Sequence, residues 1–233
     1  AKDVAEVWAI FFDHGSAGMR KVGLKNTFSL ESFVNSDVGG ISVGNNVFSE
    51  CHTSGVLEGA DGTISWNFEI RDGGKGQYDF IPKSLRRLGL VKNTALTVHE
   101  QQFYTGWCNI NEERFEWKDA PGMQGHLCGV KNGYSWLWGH CNTFVDESGN
   151  PVPLLWDGLS ARARLGKIIL PPLTSMLFRI GDVTLALDGL TDQFRIRSSG
   201  GYEGWRFSAS KSGYRFDGTL LARPDLFAGV TYE

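Results

Sequence analysis

Ser135 to Val145 carries the side chains whose types and spacing best suit chemistry. Read as a strand, it places Trp136, Trp138, His140, Asn142 and Phe144 on one face and Leu137, Gly139, Cys141, Thr143 and Val145 on the other. Two indoles, an imidazole and a carboxamide make a poor water-facing surface. They also make an unusual dry core, because each buried polar tip needs a partner. Such a face suits the wall of a ligand cavity, with rings to cover an apolar molecule and an imidazole able to carry a proton. The wider stretch Arg114 to Phe144 concentrates this character, with three of the eight tryptophans, two of the five histidines and two of the four cysteines.

The chemistry this predicts is proton-initiated rearrangement of a prenyl or polyene-like ligand: cyclisation, hydration or isomerisation. Protonating an isolated alkene makes a carbocation, so the site needs an acid that holds its proton, a dry wall and π-faces toward the developing charge. A carboxyl desolvated by apolar neighbours keeps its proton to higher pH. Asp157 is the first candidate, since a strand over Leu154 to Arg164 sets it on one face with Leu155, Leu159 and Ala161. Asp119 is the second, on a strand that also presents Trp117. His126 or His140 can relay the proton, and Trp107, Trp136 and Trp138 can each supply cation–π stabilisation of about 2 kcal/mol when desolvated. Trp117, Gln124 and Asn142 complete the expected ligand-binding set. Each residue also has a structural alternative: indoles dominate ordinary cores, Asp157 can pair with Arg162 or Arg164, and His126 can cap backbone groups in its Gly-flanked loop.

Two further classes stay open. A non-catalytic carrier of a lipid or pigment needs the same cavity but no acid and imidazole facing it together. A zinc site could draw on His126, Cys128, His140 and Cys141; because His140 and Cys141 point oppositely in a strand, at most three converge, enough only for an open site. The principal reading uses no metal and no cofactor. Strand–GxGxxG–helix phosphate loops, a GxSxG elbow and a paired-carboxylate glycosidase pattern are absent.

The elements that must position these groups read as β. Of 233 residues, 30 are Gly and 12% are aromatic, a composition of short strands and tight turns. Val4 to Phe12 reads as a buried strand, Lys25 to Phe33 as a half-buried one, and Thr63 to Ile70 alternates with Ile64, Trp66, Phe68 and Ile70 on one face. Ile81 to Gly89 is the one helix candidate in the first half. Ala95 to Ile110 is a long strand bent at Gly106, Asn111 to Glu113 turns it into Arg114 to Trp117, and Asp119 to Gly122 ends that strand. Strands over Leu173 to Ile180, Val183 to Leu187, Phe194 to Ser198, Trp205 to Ser210 and Tyr214 to Leu221 complete an antiparallel barrel or sandwich. A net charge of −3 with no basic cluster argues against nucleic acid as a partner. No apolar run reaches the roughly 18 residues of a membrane span. Four cysteines in a chain of this size fit free thiols, and with no signal-peptide pattern the expected location is cytoplasmic.

Gly106-Trp107, Arg114-Phe115-Glu116, Asp119-Ala120-Pro121 and Trp136-Leu137-Trp138-Gly139-His140-Cys141-Asn142-Thr143-Phe144 together resemble the signature of tocopherol cyclases and their lipocalin-like relatives, a group that includes carotenoid hydratase-like proteins and fungal Diels–Alderases. The resemblance covers Trp107 to Phe144, with Trp205-Arg206-Phe207 as a weaker echo. It departs at His140, where the plant cyclases carry Gln. It implies an all-β, lipocalin-like antiparallel barrel around a large hydrophobic ligand: one complete barrel plus part of a second, or two small ones. The expected division is an N-terminal β region over 1–105 and a C-terminal one over 106–233 that carries the Trp/His motif.

Overall fold

The computed structural model of the chain describes residues 3–15, 18–36, 40–74, 76–87, 91, 93–129, 133–223 and 227. It is all-β, and every strand pairing among the described residues is antiparallel. Each sheet has an open strand order; none closes on itself among those residues. The chain forms two compact units that interleave along the sequence, one of Ala1–Asp72, Gln102–Ala120 and Asp225–Glu233, the other of Gly73–Gln101 and Pro121–Pro224.

In the first unit β1 (Val4–Gly15) and β2 (Gly18–Ser29) form a long ribbon. A single 3-10 turn, Leu30–Ser32, leads to the short strands β3 (Phe33–Ser36), β4 (Gly40–Val43) and β5 (Asn46–Ser49), followed by β6 (His52–Gly59) and β7 (Gly62–Asp72). The ribbon packs one face only. Val7, Ala9, Phe11, Val22 and Leu24 meet Leu57, Ile64, Trp66, Phe68 and Ile110, whereas Val4, Ile10 and Phe12 stay exposed. The expectation of a buried strand over Val4 to Phe12 is therefore corrected to a one-sided ribbon. The alternation read in Thr63 to Ile70 holds, with Ile64 and Ile70 buried and Trp66 and Phe68 packed on the same core.

β8 (Tyr78–Asp79), a five-residue helix α1 (Lys83–Arg87) and β9 (Thr94–Ile110) follow. β9 belongs to the second unit up to Gln101 and to the first from Gln102, where it pairs with β7. Residues 105 and 106 both lie within it. Gly106 has a φ of +152°, and a Cβ there would sit 2.1 Å from the Asn67 carbonyl oxygen, so only glycine lets the two backbones approach. β10 (Glu113–Cys128) then runs straight through Asp119 to Gly122, where the sequence predicts an end. Asp119 takes a φ of +51° without breaking the strand.

The second unit is layered on a central sheet of β11 (Ser135–Cys141), β12 (Leu154–Arg162), β15 (Leu173–Ile180) and β16 (Val183–Leu187), in that order. Between β12 and β15 lies a small hairpin of β13 (Arg164–Leu165) and β14 (Ile168–Ile169). After β16 a 3-10 turn, Thr191–Arg195, replaces the start of the strand expected from Phe194, and β17 (Ile196–Gly201), β18 (Gly204–Lys211) and β19 (Tyr214–Leu221) form a meander. One face of the central sheet packs Trp156, Met176, Phe178, Leu185 and Leu187 against Trp205, Phe207, Ala209 and Phe216 of this meander. Gly139 and Gly158 oppose each other in register and make room for the Trp156 indole; a Cβ on Gly158 would lie 2.6 Å from it. The other face packs Leu155, Leu159, Leu177 and Ala186 against Tyr78, Phe80 and Ala95. With both faces covered, β12 and β15 are buried along most of their length, which makes any polar residue they carry conspicuous.

Candidate functional site

The face of the central sheet that turns to β8 and β9 carries a buried polar layer. Antiparallel register sets His140 directly opposite Asp157, Trp138 opposite Leu159 and Trp136 opposite Ala161. Directly opposed residues share a face, so the strand reading that put Trp136, Trp138 and His140 together also brings Asp157 among them. The face runs from solvent inward: Trp136 is 50% exposed and Trp138 48%, the His140 side chain is 7% exposed, and Asp157 is fully buried.

His140 Nδ1 lies 3.4 Å from Asp157 Oδ2, and neither imidazole nitrogen has a hydrogen-bond partner among the described residues. Thr97, itself fully buried, donates its hydroxyl to the same Oδ2, while Oδ1 is unpartnered among the described residues. Tyr78 stands opposite Thr97 in register, and its buried hydroxyl also has no partner among the described residues. Unpaired polar atoms in a dry interior cost stability, typically about 1–3 kcal/mol each, so a cluster of them marks either a functional site or stored strain. Asp157 does not pair with Arg162 or Arg164; Arg164 instead bonds the Gly166 carbonyl and covers the Tyr134 ring.

Burial, reinforced by the carboxylates of Asp188, Asp157, Asp192 and Asp79, pushes the Tyr78 phenol far above its ordinary value of 10.0. The sign for stability follows from proton counts. Above pH 10 the unfolded chain releases this proton and the folded chain keeps it, so the unfolded state binds fewer protons and stability falls as pH rises from that point. Ultraviolet titration should show Tyr78 ionising only on unfolding, and Tyr78→Phe should flatten the alkaline decline of stability.

A second buried charge adjoins this layer. Glu100, fully buried, accepts from both Nε and Nη2 of Arg179, the latter at 2.9 Å, and Arg179 Nη1 donates to Thr184 Oγ1 at 2.7 Å. Arg179 lies on the Asp157 face of the sheet, two residues beyond Leu177, the register partner of Asp157. Thr97 and Glu100 are three apart in β9 yet both reach this sheet, so the strand departs from a flat two-residue repeat between them.

Asn142 donates to the Gly122 carbonyl at 2.9 Å and tethers the chain after β11 to β10. The Gln124 side-chain oxygen is buried without a partner among the described residues, and His126 and Cys128 are exposed near the end of β10. Trp107, Trp117 and Asp119 belong to the first unit. There Trp107 lies under the Arg114 guanidinium at 4.5 Å, Trp117 stacks with Phe115 and contacts Phe68, and Asp119 is exposed and paired with Arg71 at 2.9 Å. Among the described residues no three His, Cys, Asp or Glu side chains are grouped to hold a metal ion, and no helix is long and apolar enough to cross a membrane.

Sequence reasoning missed Tyr78, Thr97, Glu100 and Arg179. A signal was present for one of them: Arg179 is the one charge in LTSMLFRI. A charge inside a strand that is otherwise apolar calls for a buried partner. Comparison of the chain with family models, with curated proteins and with solved structures finds no match in any of the three.

Proposed function

We propose that this protein binds a large hydrophobic, prenyl- or polyene-like ligand on a lipocalin-like scaffold, and that it cyclises, hydrates or isomerises it by proton transfer. The observation that carries the reading is the His140–Asp157 pair, set between a sealed interior and the half-exposed indoles of Trp136 and Trp138. Asp157 has no direct route to a ligand, whereas His140 adjoins both Asp157 and the tryptophan face. His140 therefore hands the proton on, and Asp157, held by Thr97, restores it.

In the reaction the alkene π pair forms a new C–H bond with the proton from His140, leaving a carbocation against the indole faces. Capture by an internal double bond closes a ring, capture by water adds a hydroxyl, and loss of a neighbouring proton back to His140 moves the double bond. In the cyclisation and isomerisation routes the product returns the proton through the imidazole to Asp157; in hydration the captured water does, so the relay is restored without net change.

Native mass spectrometry of gently purified protein, with lipid-extract profiling, tests the reading. The expected result is a bound apolar ligand that Trp138→Ala loses and that wild type converts while His140→Ala does not. Retention without conversion by wild type would identify a carrier. No uptake from diverse hydrophobic extracts by folded wild type would remove the ligand reading.

A further inference from the structure

The outer face of the meander β17–β18–β19 carries a different chemistry. Its inner face packs Trp205, Phe207 and Phe216 into the core, and the Ser198 hydroxyl turns inward to accept from Trp205 Nε1 at 2.8 Å. Outward, strand register lays down two rows: Arg197, Ser208 and Asp217 across one, Ser199, Arg206 and Thr219 across the next. These six residues border an open concavity of about 460 Å³. Each row holds one arginine, and the two lie on the diagonal, close enough for both guanidinium groups to reach one small ligand.

The charge balance decides the ligand. Among the described residues Asp217 is the one carboxylate in the concavity, and it is already satisfied: Arg215 donates to it from Nε at 2.8 Å and from Nη2 at 3.2 Å, and these bonds together with one from the Ser208 hydroxyl hold its carboxyl below the usual range. Arg197 and Arg206 are exposed, and among the described residues neither makes an ion pair. Two unneutralised guanidinium forks flanked by the hydroxyls of Ser199 and Thr219 thus stand together on a chain whose net charge is −3. Guanidinium groups match tetrahedral oxyanions in geometry, and hydroxyls supply the remaining donors.

We propose that this face binds a phosphate or phosphate-ester group between Arg197 and Arg206. Full-length, isotopically labelled protein titrated with inorganic phosphate at fixed ionic strength tests it. The expected result is saturable amide shifts confined to residues 197–199, 206–208 and 217–219. Arg197→Gln/Arg206→Gln should weaken binding at least tenfold without disturbing the rest of the spectrum, since both side chains are exposed. Asp217→Asn, which removes the opposing charge, should tighten it. Shifts that never saturate, that spread over the surface, or that persist in the double variant would overturn the site. Vesicles of phosphatidylglycerol in phosphatidylcholine separate the sources: pelleting that inorganic phosphate competes away assigns a lipid headgroup, and free-phosphate binding without pelleting assigns a soluble ester.

Discussion

Arg179→Ala is expected to destabilise the protein by about 3–5 kcal/mol, the cost of stranding a buried charge. Glu100 is fully buried and its two carboxylate oxygens are both taken by Arg179, so truncation leaves an anion in the interior with neither water nor cation. The arginine also ties β15 to β16 through Thr184, so its loss loosens the sheet edge. Urea denaturation, with hydrogen exchange of β12 and β15 amides to report on the second unit, measures the effect. Arg71→Ala provides the contrast: its pair with Asp119 is more than half exposed on both sides, and exposed pairs contribute only about 0–1 kcal/mol. Replacing both members of the buried pair, Glu100→Leu with Arg179→Met, should recover most of the loss, because the desolvation of both charges disappears with them. A loss below about 1 kcal/mol in the single variant would mean that water reaches Glu100 and that the layer is not sealed.

That buried layer also shows what the sequence could and could not disclose. Strand periodicity located β15, β16 and β19 to the residue, because each is a short apolar run between clear turns. It put His140 and Asp157 on faces of their own strands correctly, but only register made those faces the same one. Register is a pairing property and leaves little local trace when both faces of a strand are covered, as in β12. Thr97 and Tyr78 were illegible for a related reason: they reach Asp157 from segments far away in sequence, and nothing in a threonine or a tyrosine marks its partner. The continuation of β10 through Asp119-Ala120-Pro121-Gly122 escaped because Pro and Gly read as punctuation, although an edge or bulged position tolerates both. The two-unit division is likewise invisible, since β9 and β10 cross it without any change of composition.

Asp157→Asn is expected to abolish conversion of the bound ligand, by about 10²–10⁴-fold, while leaving ligand binding within a few-fold of wild type. The amide keeps the shape of the carboxyl and can still accept from Thr97, but it cannot resupply a proton to His140. His140→Gln should give a loss of the same order, and the double variant should be little worse than either single one, because the two residues act in series. Thr97→Val leaves the acid in place and removes only its tether; a smaller loss, with a changed pH profile of turnover, would identify it as a positioning residue. Stability supplies the independent readout. In wild type, Asp157 Oδ1, both His140 nitrogens and the Tyr78 hydroxyl are buried without partners among the described residues, an arrangement that costs the fold. If Asp157→Asn loses turnover yet unfolds at an equal or higher urea concentration, the layer is held for chemistry against the interest of stability. If it keeps turnover and loses several kcal/mol, Asp157 is a structural tie between β9 and the central sheet, and the proton must come from elsewhere.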